Sequence, residues 1–270
     1  MASRTAAKPQ RKTGVREASA QATRDAILKA ATKVFAKYGY DGGSVEKISK
    51  AANSVDRMIY YYFGSKEGLF IAVLEGIYQR MDDAEAALAI DVADPLEALT
   101  TVIRFVLGYY RKNPEFVTLL NTENLHQGRH ISKSLRARQY SSQAVTIVAD
   151  ILRSGARQGL FRSTLVARDV YLLIAATGYF YTANRHTLTA FLGEPMASPE
   201  AVAHWQDFVI ETVLRTVRAD QPHPETSTHE DITWQKSQPA KSRARSSSAT
   251  SASCCRATST GRSSMPTRWS

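Results

Sequence analysis

The chain has 270 residues, 43% of them apolar, and 35 Lys plus Arg against 25 Asp plus Glu give a formal charge of +10. That is enough for one or two folded domains with a substantial core. No apolar run reaches the roughly 18 residues of a membrane span, and Met1 to Gly14 is polar and basic without the apolar centre of an export signal. No membrane partner and a cytoplasmic location are therefore expected. The only cysteines, Cys254 and Cys255, are adjacent, which excludes a disulfide scaffold or a cysteine-based zinc site and fits a reducing compartment.

The charge is uneven. Residues 1–66 carry a net +8, residues 67–220 a net −2 and residues 221–270 a net +4. A basic front end on a near-neutral body reads either as a polyanion-binding module joined to a part that does not touch the polyanion, or as a solvated basic tail.

Residues 1–19 lack large apolar side chains and are expected to be a disordered basic arm. Helical periodicity then dominates, with no sustained strand alternation, so the fold class is all-α. The first helix is expected from Arg24, after the cap candidate Thr23, to Tyr38, with Ile27, Ala30, Ala31, Val34 and Phe35 on one face and Gly39 as its stop. A short helix follows the N-cap candidate Ser44 and runs to Ala52. Another covers about Asp56 to Phe63, and Ser65 caps a long fourth helix whose stripe is Phe70, Val73, Leu74, Ile77 and Met81. Further helices are expected at 95–112, 114–127, 132–158, 167–185 and 199–218, with Pro95, Pro114 and Pro199 at their starts. Residues 220–270, rich in Ser, Thr, Pro and Arg, are expected to be a disordered tail.

The compact pair Ser44–Ala52 and Asp56–Phe63, after one longer helix, has the layout of a helix-turn-helix, whose second helix enters the DNA major groove. The surrounding string, residues 27–76, closely resembles the N-terminal domain of the tetracycline-repressor (TetR) family. The matching features are the paired alanines and Phe35 of helix one, Gly39-Tyr40, Ser44-Val45, Ile48, the block Ile59 to Phe63, and Ser65-Lys66-Glu67 before Leu69. The resemblance departs at the turn, where the family usually has Ala-Gly-Val-Ser and this chain has Ala52-Asn53-Ser54-Val55. Asn53 tolerates the positive φ that glycine supplies there, and the cap of the next helix moves to Ser54 or Asp56.

The resemblance implies a helix-turn-helix domain over residues 20–66 and a helical ligand-binding and dimerisation domain over 67–219. The helices around Val170–Arg185 and Val202–Val217 would form a four-helix dimer interface. In this register Ser44 offers a hydroxyl and free N–H groups to a phosphate. By the family pattern Tyr60 and Tyr62 give phenolic hydroxyls to phosphates, Lys66 adds a point charge, and Arg57, Met58 and Tyr61, with Glu46, face base edges. Each has a plainer reading. Tyr60 and Tyr62 could pack on the surface, Arg57 could be a solvated charge, and Glu46 could simply complement its own helix dipole.

Glu123, His126 and His130 have spacings that metals use, but Gly128 interrupts the stretch, so no metal is expected. No phosphate loop, nucleophile elbow or metalloprotease motif occurs, and neither a cofactor nor an enzyme is expected. The aromatic-rich middle helices are expected to enclose an apolar cavity, with Phe116, Asn121, Asn124, His126 and Tyr179 as candidate ligand-binding residues. The whole is read as a ligand-responsive regulator, most simply a repressor, that binds a pseudo-palindromic double-stranded DNA operator as a homodimer and is released by a small, largely apolar or aromatic effector. A DNA-binding regulator or architectural module without such a ligand is the alternative.

Overall fold

The computed structural model describes residues 11–136 and 142–219. Among these residues there are nine α-helices and no strand: α1 (Arg11–Gly42), α2 (Val45–Ala51), α3 (Asp56–Phe63), α4 (Lys66–Ala86), α5 (Pro95–Lys112), α6 (Pro114–Leu125), α7 (Ser142–Arg157), α8 (Ala167–Leu192) and α9 (Pro199–Val217). No described helix is long and apolar enough to cross a membrane. The expectations for residues 1–10 and 220–270 lie outside the described residues.

The head is built on α1, which packs against α2, α4 and α6, while α3 packs on α2 and α4. Its centre is Ile27, Phe35, Ile48, Ile59 and Phe70, all fully buried. Truncating one such side chain to Ala costs about 2–5 kcal/mol. Gly39, at φ +68°, breaks the helical path of α1, a conformation that L side chains rarely adopt. Gly43 is required for a different reason, since a Cβ there would lie 2.5 Å from the Phe35 ring. The chain can therefore turn tightly over the core into α2.

In the body, α5 packs against α7, α8 and α9, and α7 lies along α8. Leu99, Ile103, Leu119, Ile151 and Ile174 are fully buried there, in a cluster continuous with the head core. Pro95, Pro114 and Pro199 each open a helix, where the missing N–H leaves no bond unmade.

Three sequence expectations are corrected. Helix α1 starts at Arg11, not Arg24, so residues 11–19 of the expected arm are helical, although residues 16–22 are exposed. The segment has no apolar stripe to reveal it, but its Arg, Glu, Ala and Gln residues favour helix, and propagation from a packed helix is easy once nucleated. The helix expected from residue 132 starts at Ser142 among the described residues, after a single 3-10 turn at Ile131–Lys133. Neither Ser54 nor Asp56 caps α3, because Val55 holds the cap position with no side-chain bond.

Candidate nucleic-acid interface and its coupling to the body

Ser44 caps α2, its hydroxyl accepting from Lys47 N at 3.2 Å, and Ser65 caps α4 by accepting from Gly68 N at 2.9 Å. Between α2 and α3, Asn53 takes φ +50°, the turn conformation expected of it. The Ser49 hydroxyl donates to Asp56 Oδ1 at 2.5 Å, and Ser54 N donates to Ser49 O at 2.9 Å. These bonds tie the start of α3 to the end of α2. No local sequence signal marks Ser49, since only the folded turn brings Asp56 to it.

On α3 only Ile59 is fully buried, whereas Arg57, Tyr60 and Tyr61 are exposed and Met58 and Tyr62 half-buried. Tyr61 is 75% exposed. Its ring meets that of Tyr62 edge-on at 5.0 Å. Glu46 and Lys50 are exposed on α2. Lys66, opening α4, holds its ammonium 4.7 Å from the centre of the Tyr40 ring and donates to Asp41 O at 3.3 Å. Lys47 likewise lies over Tyr38, at 4.6 Å. Lys66 is thus anchored to the head by an aromatic ring and a backbone carbonyl.

The end of α6 and the turn after it form a joint between body and head. His126 Nε2 is 3.5 Å from Asp41 Oδ2, and its Nδ1 is 2.9 Å from Thr122 O. His130 is buried, its ring 4.4 Å from that of Tyr40 and 4.9 Å from that of Phe70. Lys133 then pairs with Glu67 at 2.6 Å, and Ser134 donates to Glu75 Oε1 at 2.5 Å, both on α4. Burial, reinforced by the charge of Glu67, raises the pKa of the Tyr40 phenol.

The expected ligand-binding residues divide. Tyr179 donates its hydroxyl to Asn121 Oδ1, and Asn124 lies close enough to oppose the rise that burial imposes on the Tyr179 pKa. Phe116 is core, stacked on Tyr110 at 5.7 Å and edge-on to Tyr78 at 5.6 Å. His126 is apart from them, at the joint. The spacing Glu123, His126, His130 does not converge as a metal site, because Glu123 bonds to His130 itself, and no metal-binding group is found among the described residues.

Two family models match. One describes the bacterial regulatory proteins of the tetR family and spans residues 27–73; the other, the tetracyclin repressor-like C-terminal domain, spans residues 95–213. The HTH-type transcriptional repressor NicS of Pseudomonas putida is 52% identical over 208 residues, which make up 77% of this chain and 98% of that protein. The chain belongs to the tetracycline-repressor family. The HTH-type transcriptional regulator RutR of Escherichia coli is 36% identical over 113 residues, 42% of this chain and 53% of that one. A TetR transcription regulator from Haloarcula marismortui shares the fold with a TM-score of 0.57 at 15% identity, over 73% of this chain and 99% of that one.

As a TetR-family protein it is a helix-turn-helix DNA-binding transcription regulator, and the two matched regions coincide with the head and with α5 to α9. What the sequence did not reveal is the joint. Glu123 and His130 were legible as titratable residues at a suggestive spacing, but Gln127 at φ +57° and Gly128 at φ +71° fold the chain back between them. That reversal turns a row of potential ligands into a closed pair.

Proposed function

We propose that this protein is a cytoplasmic repressor that binds a pseudo-palindromic operator as a homodimer and leaves it when a small, largely apolar or aromatic effector enters the body. It acts by binding and not by catalysis. The observation that carries the reading is α3, whose single buried anchor leaves Arg57, Tyr60 and Tyr61 projecting from a basic head. In this reading Arg57, Met58 and Tyr61, with Glu46, meet base edges, while Ser44, Tyr60, Tyr62 and Lys66 meet phosphates. The 52% identical relative is named a repressor, which supports repression over activation.

Dimerisation is supported by the apolar side chains left in water on α8 and α9, among them Leu172, Phe180 and Phe208, each more than half exposed. Apolar side chains exposed on two long helices are what a subunit interface would cover, and a two-fold pairing would set the two α3 helices at successive major grooves. Asn121, Asn124 and Tyr179 are the proposed polar handles of the effector site, while Phe116 belongs to the core beside them. Selection from a random duplex pool tests the reading. Enrichment of a site with two inverted half-sites is expected, and a pool that returns no enriched sequence overturns it.

A further inference from the structure

A cavity lies between α5, α8 and α9, and includes none of the residues assigned above to the DNA face or to effector binding. Its volume is about 130 Å³, close to the roughly 150 Å³ of cavities known to accept one benzene ring. Leu107, Val202 and Met196 supply apolar wall, and Tyr181 and Trp205 line it as a stacked pair, ring centres 5.0 Å apart and planes within 15°.

Three polar features give this cavity a ligand preference. Arg111 and Arg185 both line it and no carboxylate does. Arg185 donates one N–H to Thr182 O at 2.7 Å, within its own helix, and neither guanidinium has a carboxylate partner among the described residues. The third feature is Trp205 Nε1, which is buried and has no acceptor among the described residues. A buried donor left unpaired is costly, and one that borders a cavity recovers the loss when a bound molecule brings an acceptor. The Tyr181 hydroxyl, by contrast, is committed to Met196 O at 2.7 Å.

We infer that this cavity is a binding site for a single-ring aromatic carboxylate. The ring fills the apolar volume, the carboxylate takes the free guanidinium N–H groups, and a further acceptor answers the indole N–H. Guanidinium suits this role because its planar donors match a carboxylate in a two-point bond. The two arginines repel a dication, and a long acyl chain or a nucleotide exceeds the volume. The inference concerns binding alone and stands whether or not the operator reading does.

Benzoate is the probe, with benzamide as its neutral counterpart, titrated calorimetrically into the full-length protein. Benzoate is expected to bind and to change the tryptophan fluorescence, and benzamide to bind at least about tenfold more weakly, as removal of a charge-assisted bond predicts. Arg111→Met and Arg185→Met should each weaken benzoate by about tenfold and leave benzamide unchanged. Arg111 is exposed, so its variant keeps the test valid if Arg185→Met fails to fold. The Trp205→Phe variant should lose the fluorescence response, since Trp205 is the tryptophan that lines the cavity. No benzoate binding at millimolar concentration overturns the site, as does equal affinity for benzoate and benzamide or unchanged affinity in both arginine variants. Operator affinity of the ligand-free protein, measured in parallel, reports separately on the regulator reading.

Discussion

Glu123 holds His130 from two directions: its Oε1 accepts the backbone N–H of His130 at 2.7 Å, and its Oε2 lies 2.7 Å from the ring Nδ1. Oε1 also accepts Ile131 N at 2.9 Å, and both side chains are buried. One carboxylate thereby closes the turn after α6 and presents the imidazole to Tyr40 and Phe70 of the head. Glu123→Ala leaves two backbone donors and a ring N–H unpaired in the interior, and should cost about 3–5 kcal/mol. Urea denaturation measures it. A destabilisation below about 1 kcal/mol would mean that the turn finds other partners.

His126 should behave differently. Its contact with Asp41 is long and the Asp41 side chain is 86% exposed, so a double-mutant cycle of His126→Ala with Asp41→Ala should return a stability coupling below about 1 kcal/mol. The same cycle read in operator affinity tests whether this contact transmits the state of the body to the head. Additive effects on both readouts would reduce His126 to a packing residue.

Arg57 and Lys66 should separate base reading from phosphate binding. Arg57→Ala is expected to relax preference at one base position per half-site, at about 1–3 kcal/mol. Lys66→Ala should weaken binding to all sequences alike and flatten the salt dependence by about one unit for each phosphate no longer neutralised. Since the ammonium rests on Tyr40 and Asp41 O, the same variant also loosens the edge of the head. An unchanged salt slope with lower thermal stability would show that Lys66 serves the fold and not the DNA.

The pH dependence of stability should show the buried acid of α4. Burial, with a smaller push from Asp82, raises the Glu85 carboxyl from 4.5 to about 7. Burial, with Asp83, likewise raises Asp82 to about 6. A carboxyl with a raised folded pKa binds its proton more tightly in the native state, so its contribution is fully present below pH 4.5 and is lost as pH rises through about 7. Glu85→Gln should therefore gain on the parent between pH 5 and pH 8, by about 1–3 kcal/mol. Denaturation midpoints across that range check it, and parallel curves would refute it.

Much of the head was legible because its signals are local. Ser44 and Ser65 cap by reaching three residues ahead, Asn53 takes its positive φ within one turn, and the prolines mark helix starts without reference to any neighbour. The remainder depends on partners distant in sequence. Trp205 stacks on Tyr181 across two helices, and Lys133 finds Glu67 through a turn that periodicity does not describe. Phe116 illustrates the ambiguity of an aromatic. Its pattern suits a cavity wall and a core equally, and its neighbours Tyr78, Tyr109 and Tyr110 decide for the core.

The exposed face of α8 and α9 gives the last prediction. Phe180 and Phe208 are 56% and 52% exposed, and Phe208 lies beside Trp205 at a ring distance of 5.6 Å. In a two-fold interface each substitution is felt twice, and a central aromatic contributes about 2 kcal/mol or more. Phe180→Asp should therefore raise the dimer dissociation constant by about a hundredfold or more, as read by sedimentation velocity. On the proposed reading each α3 covers one half-site, so operator affinity should fall with the dimer and return at high protein concentration. Leu135, 97% exposed but on the turn after α6, supplies the control, and Leu135→Asp should leave both readouts unchanged. If Phe180→Asp stays dimeric at nanomolar concentration with parental operator affinity, the pairing surface lies elsewhere on the body.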